Sequence, residues 1–108
     1  MKFSLFYVVL PLGMIQSVAA IDWGRMCDGK SGQGDCATFR SDVSGKCVSF
    51  SGKDNFWNDK IDYVDVTRGT CFFYEHFGCN GVSIGLRAPR AINLLDFSNR
   101  ASSFRCDL

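Results

Sequence analysis

The chain has a single histidine, His76, and only two prolines. It contains no Cys-x-x-C pair, and His76 has no second ligand at zinc spacing, so a zinc site is not expected. A histidine-based dyad has one candidate base, in a stretch that reads as a hairpin, and an even set of six cysteines leaves no obvious free thiol to act as nucleophile. Asp54, Asp59, Asp62 and Asp65 are close together, yet no spacing singles out two of them for acid–base work. The chain is therefore expected not to be an enzyme. Helical periodicity is almost absent, and so is a long apolar run beyond residue 20 that would span a bilayer. An excess of one charge is missing too. Setting Lys2 aside with a leader leaves 11 of the 12 basic residues against 11 acidic ones, a balance that gives no pull toward nucleic acid or an anionic membrane. A basic patch remains open, because Arg87, Arg90, Arg100 and Arg105 crowd the last quarter.

What is present starts with an export signal. Met1-Lys2 gives a positive start, Phe3–Ile15 an apolar core, and Val18-Ala19-Ala20 the small residues a signal peptidase needs. The apolar core falls short of the roughly 20 residues of a span, and Pro11 and Gly13 interrupt it. Residues 1–20 are therefore expected to be removed, placing the remaining 88 of 108 residues outside the cell. All six cysteines, Cys27, Cys36, Cys47, Cys71, Cys79 and Cys106, lie in that part. An even count in a short exported chain reads as three disulfides, whose pairing the sequence leaves open. Each would add about 2–4 kcal/mol to a core too small to be secure alone.

The rest reads as β-structure: short runs of β-branched and aromatic residues cut by Gly, Asn, Asp and Ser. Strands are expected at Cys36–Phe39, Cys47–Phe50, Tyr63–Val66, Cys71–Tyr74, Val82–Leu86 and Ser103–Asp107, with one further short strand in each half. Pro89 suits the start of a single helical turn within 89–95. The two halves repeat. Aligning Phe39 with Tyr74 sets Gly45-Lys46-Cys47 against Gly81-Val82-Ser83. Asn58-Asp59-Lys60-Ile61-Asp62-Tyr63 then falls on Ser98-Asn99-Arg100-Ala101-Ser102-Ser103, and each stretch leads into an alternating strand. Alternation turns Val64 and Val66, or Phe104 and Cys106, inward and Asp65 or Arg105 outward. One such unit cannot bury its face alone, whereas two packed together can.

An aromatic, five to seven residues, then Gly-x-Ser, followed later by Asn/Asp-Asn/Asp-x-x-Ser/Thr-Ser, resembles the Greek-key motif of the βγ-crystallins. Tyr74 to Ser83 and Asn99 to Ser103 carry the better copy; in the first, Cys47 and Asp62-Tyr63 depart from the pattern. The resemblance implies an all-β fold, two Greek-key motifs packed as a β-sandwich and stapled by disulfides. It assigns motif one to residues 35–67 and motif two to 68–108, with residues 21–34 as an N-terminal arm. It also implies where calcium would go. Calcium takes six or more oxygens, and the resemblance points to Asn58, Asp59 and Asp62 in the first stretch and Ser98, Asn99 and Ser102 in the second. These residues equally suit plain turn hydrogen bonds. No other cofactor is implied.

Three functions follow. Small disulfide-rich microbial proteins of this resemblance include killer toxins, so the first expectation is a non-enzymatic antimicrobial toxin or virulence effector acting on other cells, through an unidentified surface, membrane or protein target. The second is an extracellular calcium-binding or structural protein. The third is an inhibitor of a secreted hydrolase, with Arg87-Ala88-Pro89-Arg90 as the contact. A monomer is expected, and no nucleic-acid partner. Phe56-Trp57, Phe72-Phe73-Tyr74 and Phe77 are dense enough that some must face outward; Phe72 does so if Cys71 and Phe73 point in.

Overall fold

The computed structural model describes residues 20–108. The expected leader lies outside the described residues except for Ala20. Among the described residues eight strands run in chain order: β1 (Ile21–Cys27), β2 (Cys36–Ser41), β3 (Cys47–Ser49), β4 (Tyr63–Val66), β5 (Thr70–His76), β6 (Asn80–Arg87), β7 (Arg90–Asn93) and β8 (Ser103–Asp107). Three short 3-10 turns, Lys30–Gly32, Gly52–Trp57 and Leu95–Phe97, interrupt them. No described helix is long and apolar enough to cross a membrane.

The strands form two four-stranded antiparallel sheets, ordered β2-β1-β4-β7 and β3-β8-β5-β6. The third strand of each half crosses over: β3 pairs with β8, and β7 pairs with β4. Each half is thus a Greek key that lends one strand to the other's sheet. Neither sheet is complete without both halves, which explains why the unit occurs twice.

Alternation fills the space between the sheets. Val64 and Val66 of β4, Cys71 and Phe73 of β5, and Phe104 and Cys106 of β8 point inward and are buried, while Asp65, Phe72 and Arg105 point outward. Phe39 is the hub, its ring edge-on to Phe73 and to Phe104 at 5.3 Å each. Such edge contacts add about 0.5–1.5 kcal/mol per pair beyond simple burial. Trp23 is wholly buried, and its indole N–H donates to Ser41 Oγ at 2.8 Å, so its polar atom is not orphaned.

Two expectations are corrected here. Residues 21–34 are not an appended arm. Ile21–Cys27 is β1, a central strand paired on both sides. Its sequence hides this because a bulge between Asp22 and Gly24 breaks the alternation, burying Trp23 with Gly24 and Met26 with Cys27. Pro89 does not open a helical turn. Strand β7 follows it, because Ile92 sits opposite Val64 at the sheet edge, and the 3-10 turn comes later at Leu95–Phe97.

The cysteines close as Cys27–Cys36, Cys47–Cys79 and Cys71–Cys106, and none is free. The first lies within the β1–β2 hairpin and the third joins β5 to β8. The second ties β3 of the first half to the β5–β6 hairpin of the second, locking the halves to each other.

Candidate functional site

The β1–β2 and β5–β6 hairpins carry the repeated turn. Cys27 faces Cys36 across the first as Tyr74 faces Ser83 across the second. Gly34 and Gly81 precede those partners by two residues, both left-handed, at φ 77° and 86°. A side chain at Gly34 would run into the Asp28 carboxylate, and at Gly81 its Cβ would lie 2.6 Å from His76 Cδ2. The counterpart of Gly81-Val82-Ser83 is therefore Gly34-Asp35-Cys36, and the alignment of Phe39 with Tyr74 is corrected. The true first copy is disguised because Cys27 replaces the aromatic, Cys36 replaces the serine, and the two are bonded.

The last serine of the motif has a visible task. Buried Ser103 accepts the Cys79 N–H at 2.9 Å and donates to His76 O at 2.6 Å, tying the hairpin down. Tyr63 takes that position in the first half and has no such hydroxyl. There the Cys27–Cys36 bridge and the Asp35 N–H donated to Asp28 Oδ1 at 2.8 Å hold the hairpin.

The two Asn/Asp-rich stretches meet about a pseudo-twofold axis. Asp59 N–H donates to Ala101 O and Asn99 N–H to Ile61 O, each at 3.0 Å. Asp59 and Asn99 are both left-handed, at φ 58° and 60°. Two hollows flank this crossing. One, of about 360 Å³, contains Asp59, Glu75, His76, Arg100 and Ser102. There Ser102 Oγ donates to Asp59 Oδ1 at 3.2 Å. Arg100 already supplies the positive charge, its Nη2 lying 2.8 Å from Glu75 Oε2. That hydrogen bond holds the Glu75 carboxyl below its ordinary value of 4.5. The other hollow, of about 330 Å³, contains Asp62, Asn93, Ser98 and Asn99, with Lys30 at its side. Asp62 Oδ1 accepts from Ser98 Oγ, and the Asn99 side-chain N–H, with the amide turned to suit its neighbours, reaches it at 3.3 Å.

These hollows differ as cation sites. The Asp59 hollow is crowded by Arg100, whose guanidinium is held on Glu75. The Asp62 hollow offers one carboxylate and neutral oxygens, with Lys30 at its side. Asn58 lies at the same crossing, and its Oδ1 is buried with no hydrogen-bond partner. Among the described residues, no group of three or more His, Cys, Asp or Glu side chains converges in a metal-holding cluster.

The remaining candidates are dispersed. His76 packs over Gly81 with its side chain 67% exposed, Nε2 3.7 Å from Glu75 Oε1. Phe72 lies on the outer face over Gly85, with the Arg105 guanidinium 5.4 Å above its ring. Phe56 stands half-exposed against Trp57, the rings edge-on at 5.1 Å. Trp57 borders a cleft of about 390 Å³ between edge strands β2 and β3, lined by Met26, Phe39 and Phe50 with Thr38 and Arg40. Arg87-Ala88-Pro89-Arg90 forms the β6–β7 link, pinned by the Ala88 N–H to Gly69 O at 2.8 Å.

No family model matches the chain, and no curated protein does. Solved structures do. A βγ-crystallin from an archaeon superposes with a TM-score of 0.60 at 24% identity, covering 82% of this chain and 98% of its own. A βγ-crystallin from Ciona intestinalis gives 0.63 at 18%, covering 78% and 98%. A βγ-crystallin domain from Flavobacterium johnsoniae gives 0.62 at 16%, covering 78% and 92%. The chain has the βγ-crystallin fold, as its motifs led one to expect. At these identities the likeness concerns the fold alone.

Proposed function

We propose that this is a secreted, cystine-locked, non-enzymatic protein that acts on other cells as an antimicrobial toxin or effector. The observation that carries the reading is the use of its cysteines. All six are consumed in bridges, one of which welds the two halves of the molecule. Such bridges persist in oxidising surroundings outside the cytosol, in accord with the leader-like residues 1–20. A domain stiffened this way keeps its exposed links in fixed positions, which suits recognition of a foreign surface. The test is to apply the purified, oxidised protein to microbial cultures and to plant and animal tissue, beside a sample with its cystines reduced and capped. Growth arrest or leakage from the oxidised sample alone is expected. Inertness toward every cell tested overturns the reading.

The unequal hollows favour a second, compatible reading: weak calcium binding at Asp62, with Ser98, Asn99 and Asn93, but not at the hollow formed by Asp59 and Ser102. Any ligand bound by the native state alone raises the melting temperature. Millimolar calcium is expected to raise it in the parent and in Asp59→Asn, and to leave Asp62→Asn unchanged. No shift in the parent removes calcium from the account.

A further inference from the structure

The chain is close to neutral overall, yet its charges are sorted along the sandwich. One end gathers the starts of β1, β3, β5 and β7 and the ends of β2, β4, β6 and β8. Three carboxylate side chains there are already held by a neighbouring cation, and Asp65 stands opposite Arg25 in the β1–β4 register. Asp22 pairs with Arg40 at 2.5 Å, Asp42 with Lys46 at 3.1 Å, and Asp107 with Arg105 at 3.3 Å. Left over are Arg68, Arg87 and Arg90. All three are exposed, and among the described residues no carboxylate pairs with them.

These arginines come from adjoining links. Thr70 pairs with Arg87 and Val66 with Arg90, while Arg68 lies in the connection from β4 to β5. The bond from Ala88 N–H to Gly69 O holds that connection against the β6–β7 link. The same end exposes two apolar side chains, Val43 at 53% and Leu108 at 72%. The opposite end carries Asp28, Asp35, Asp59, Asp62, Glu75 and Asp96 against Lys30, Lys60 and Arg100. The molecule is thus polarised along its strands, with an excess of arginine at one end and an acidic excess at the other.

We infer that the arginine cap docks end-on against an anionic phospholipid surface. Guanidinium forks match phosphate oxygens in pairs. Juxtaposed apolar side chains suit the headgroup boundary of a bilayer better than a polysaccharide, which offers no hydrocarbon for Leu108 and Val43. The acidic end is repelled by the same surface, so the field turns the strand direction toward the membrane normal. The inference gives the target of the proposed cell-directed action and rests on that reading for its biological setting, but not for its chemistry.

The test is co-sedimentation of the oxidised protein with vesicles of phosphatidylcholine alone and of phosphatidylcholine mixed with phosphatidylserine. Binding is expected only to the mixed vesicles and is expected to fall as salt rises. Each arginine removed near the surface should cost about fivefold in partitioning. Arg87→Gln with Arg90→Gln is thus expected to weaken binding about thirtyfold. The charge-matched Lys30→Gln with Lys60→Gln, at the far end, is expected to leave it unchanged, and Leu108→Ser to reduce it. Circular dichroism and melting temperature confirm that each variant folds. Equal binding to neutral vesicles, equal losses from the two double variants, or retention on a sulfated polysaccharide with no vesicle binding overturns the inference. Vesicle binding by a protein inert toward all cells would sink the toxin reading and leave this one standing.

Discussion

Replacing Cys47 and Cys79 together by serine removes the bridge that joins the two halves. Its cysteines are 32 residues apart, and the entropy that such a loop withholds from the unfolded chain corresponds to about 3.7 kcal/mol at 25 °C. The hairpin bridge, with a separation of only 9, corresponds to about 2.6 kcal/mol. The Cys47–Cys79 pair is also the cleanest to test. Both residues are only partly buried, whereas Cys71 and Cys106 are wholly buried, so serines there would add the cost of sheltered hydroxyls. For a domain of this size, 1 kcal/mol moves the melting temperature by about 4–8 °C. The Cys47→Ser/Cys79→Ser variant should therefore melt about 15–30 °C below the parent. Cys27 is wholly buried, so Cys27→Ser/Cys36→Ser would add a sheltered hydroxyl to its smaller loop contribution and is no clean comparison. Thermal unfolding followed by circular dichroism and by tryptophan fluorescence reads the shift. A loss of only a few degrees would refute the claim that this bridge locks one half to the other.

Gly69 sits at φ 68°, where a Cβ would strike Asp107 O and lie 2.9 Å from Trp23 Cζ3. Gly69→Ala should cost about 2–4 kcal/mol in urea unfolding, while Gly52→Ala, left-handed but facing open space, should cost only about 1–2 kcal/mol. Ser103→Ala strands the Cys79 N–H and the His76 carbonyl and should cost about 1–3 kcal/mol. Hydrogen exchange at the Cys79 amide should accelerate in that variant, and an unchanged rate would refute the tie. The folded Glu75 carboxyl titrates below its ordinary 4.5 because Arg100 donates to it. Its contribution to stability is therefore present above the unfolded value and is lost as pH falls through the folded one. Glu75→Gln should remove that part of the acid dependence, and a carboxyl midpoint at or above 4.5 by nuclear magnetic resonance would contradict it.

The parts of this fold that could be read from residues are those with unbroken local patterns. Tyr63–Val66 and Ser103–Asp107 alternate cleanly, and both occur with the expected bounds. The same parity turns Phe72 outward between buried Cys71 and Phe73. Strand β1 was missed because its bulge spoils the period, and period is the signal that betrays a strand. The first hairpin was misaligned because a disulfide had replaced both side chains that mark the motif. Phe39, an aromatic a dozen residues downstream, stood in for Cys27 only because the motif asks for an aromatic. The bridges were countable but not assignable, since pairing is set by strand order and the third strand of each half crosses to the other sheet. The arginine cap was legible only as a crowded last quarter. Arg68 joins Arg87 and Arg90 through the link pairing, while Arg100 goes to the opposite end and Arg105 is spent on Asp107.

The most direct test of a cystine-locked exported domain is non-reducing peptide mapping, by mass spectrometry, of the protein recovered from the culture medium of expressing cells. The account predicts a chain beginning at Ile21, no free thiol, and peptides joined as Cys27 with Cys36, Cys47 with Cys79, and Cys71 with Cys106. A protein kept inside the cell, a retained leader, alkylated thiols, or Cys47 joined to a cysteine of its own half would contradict it.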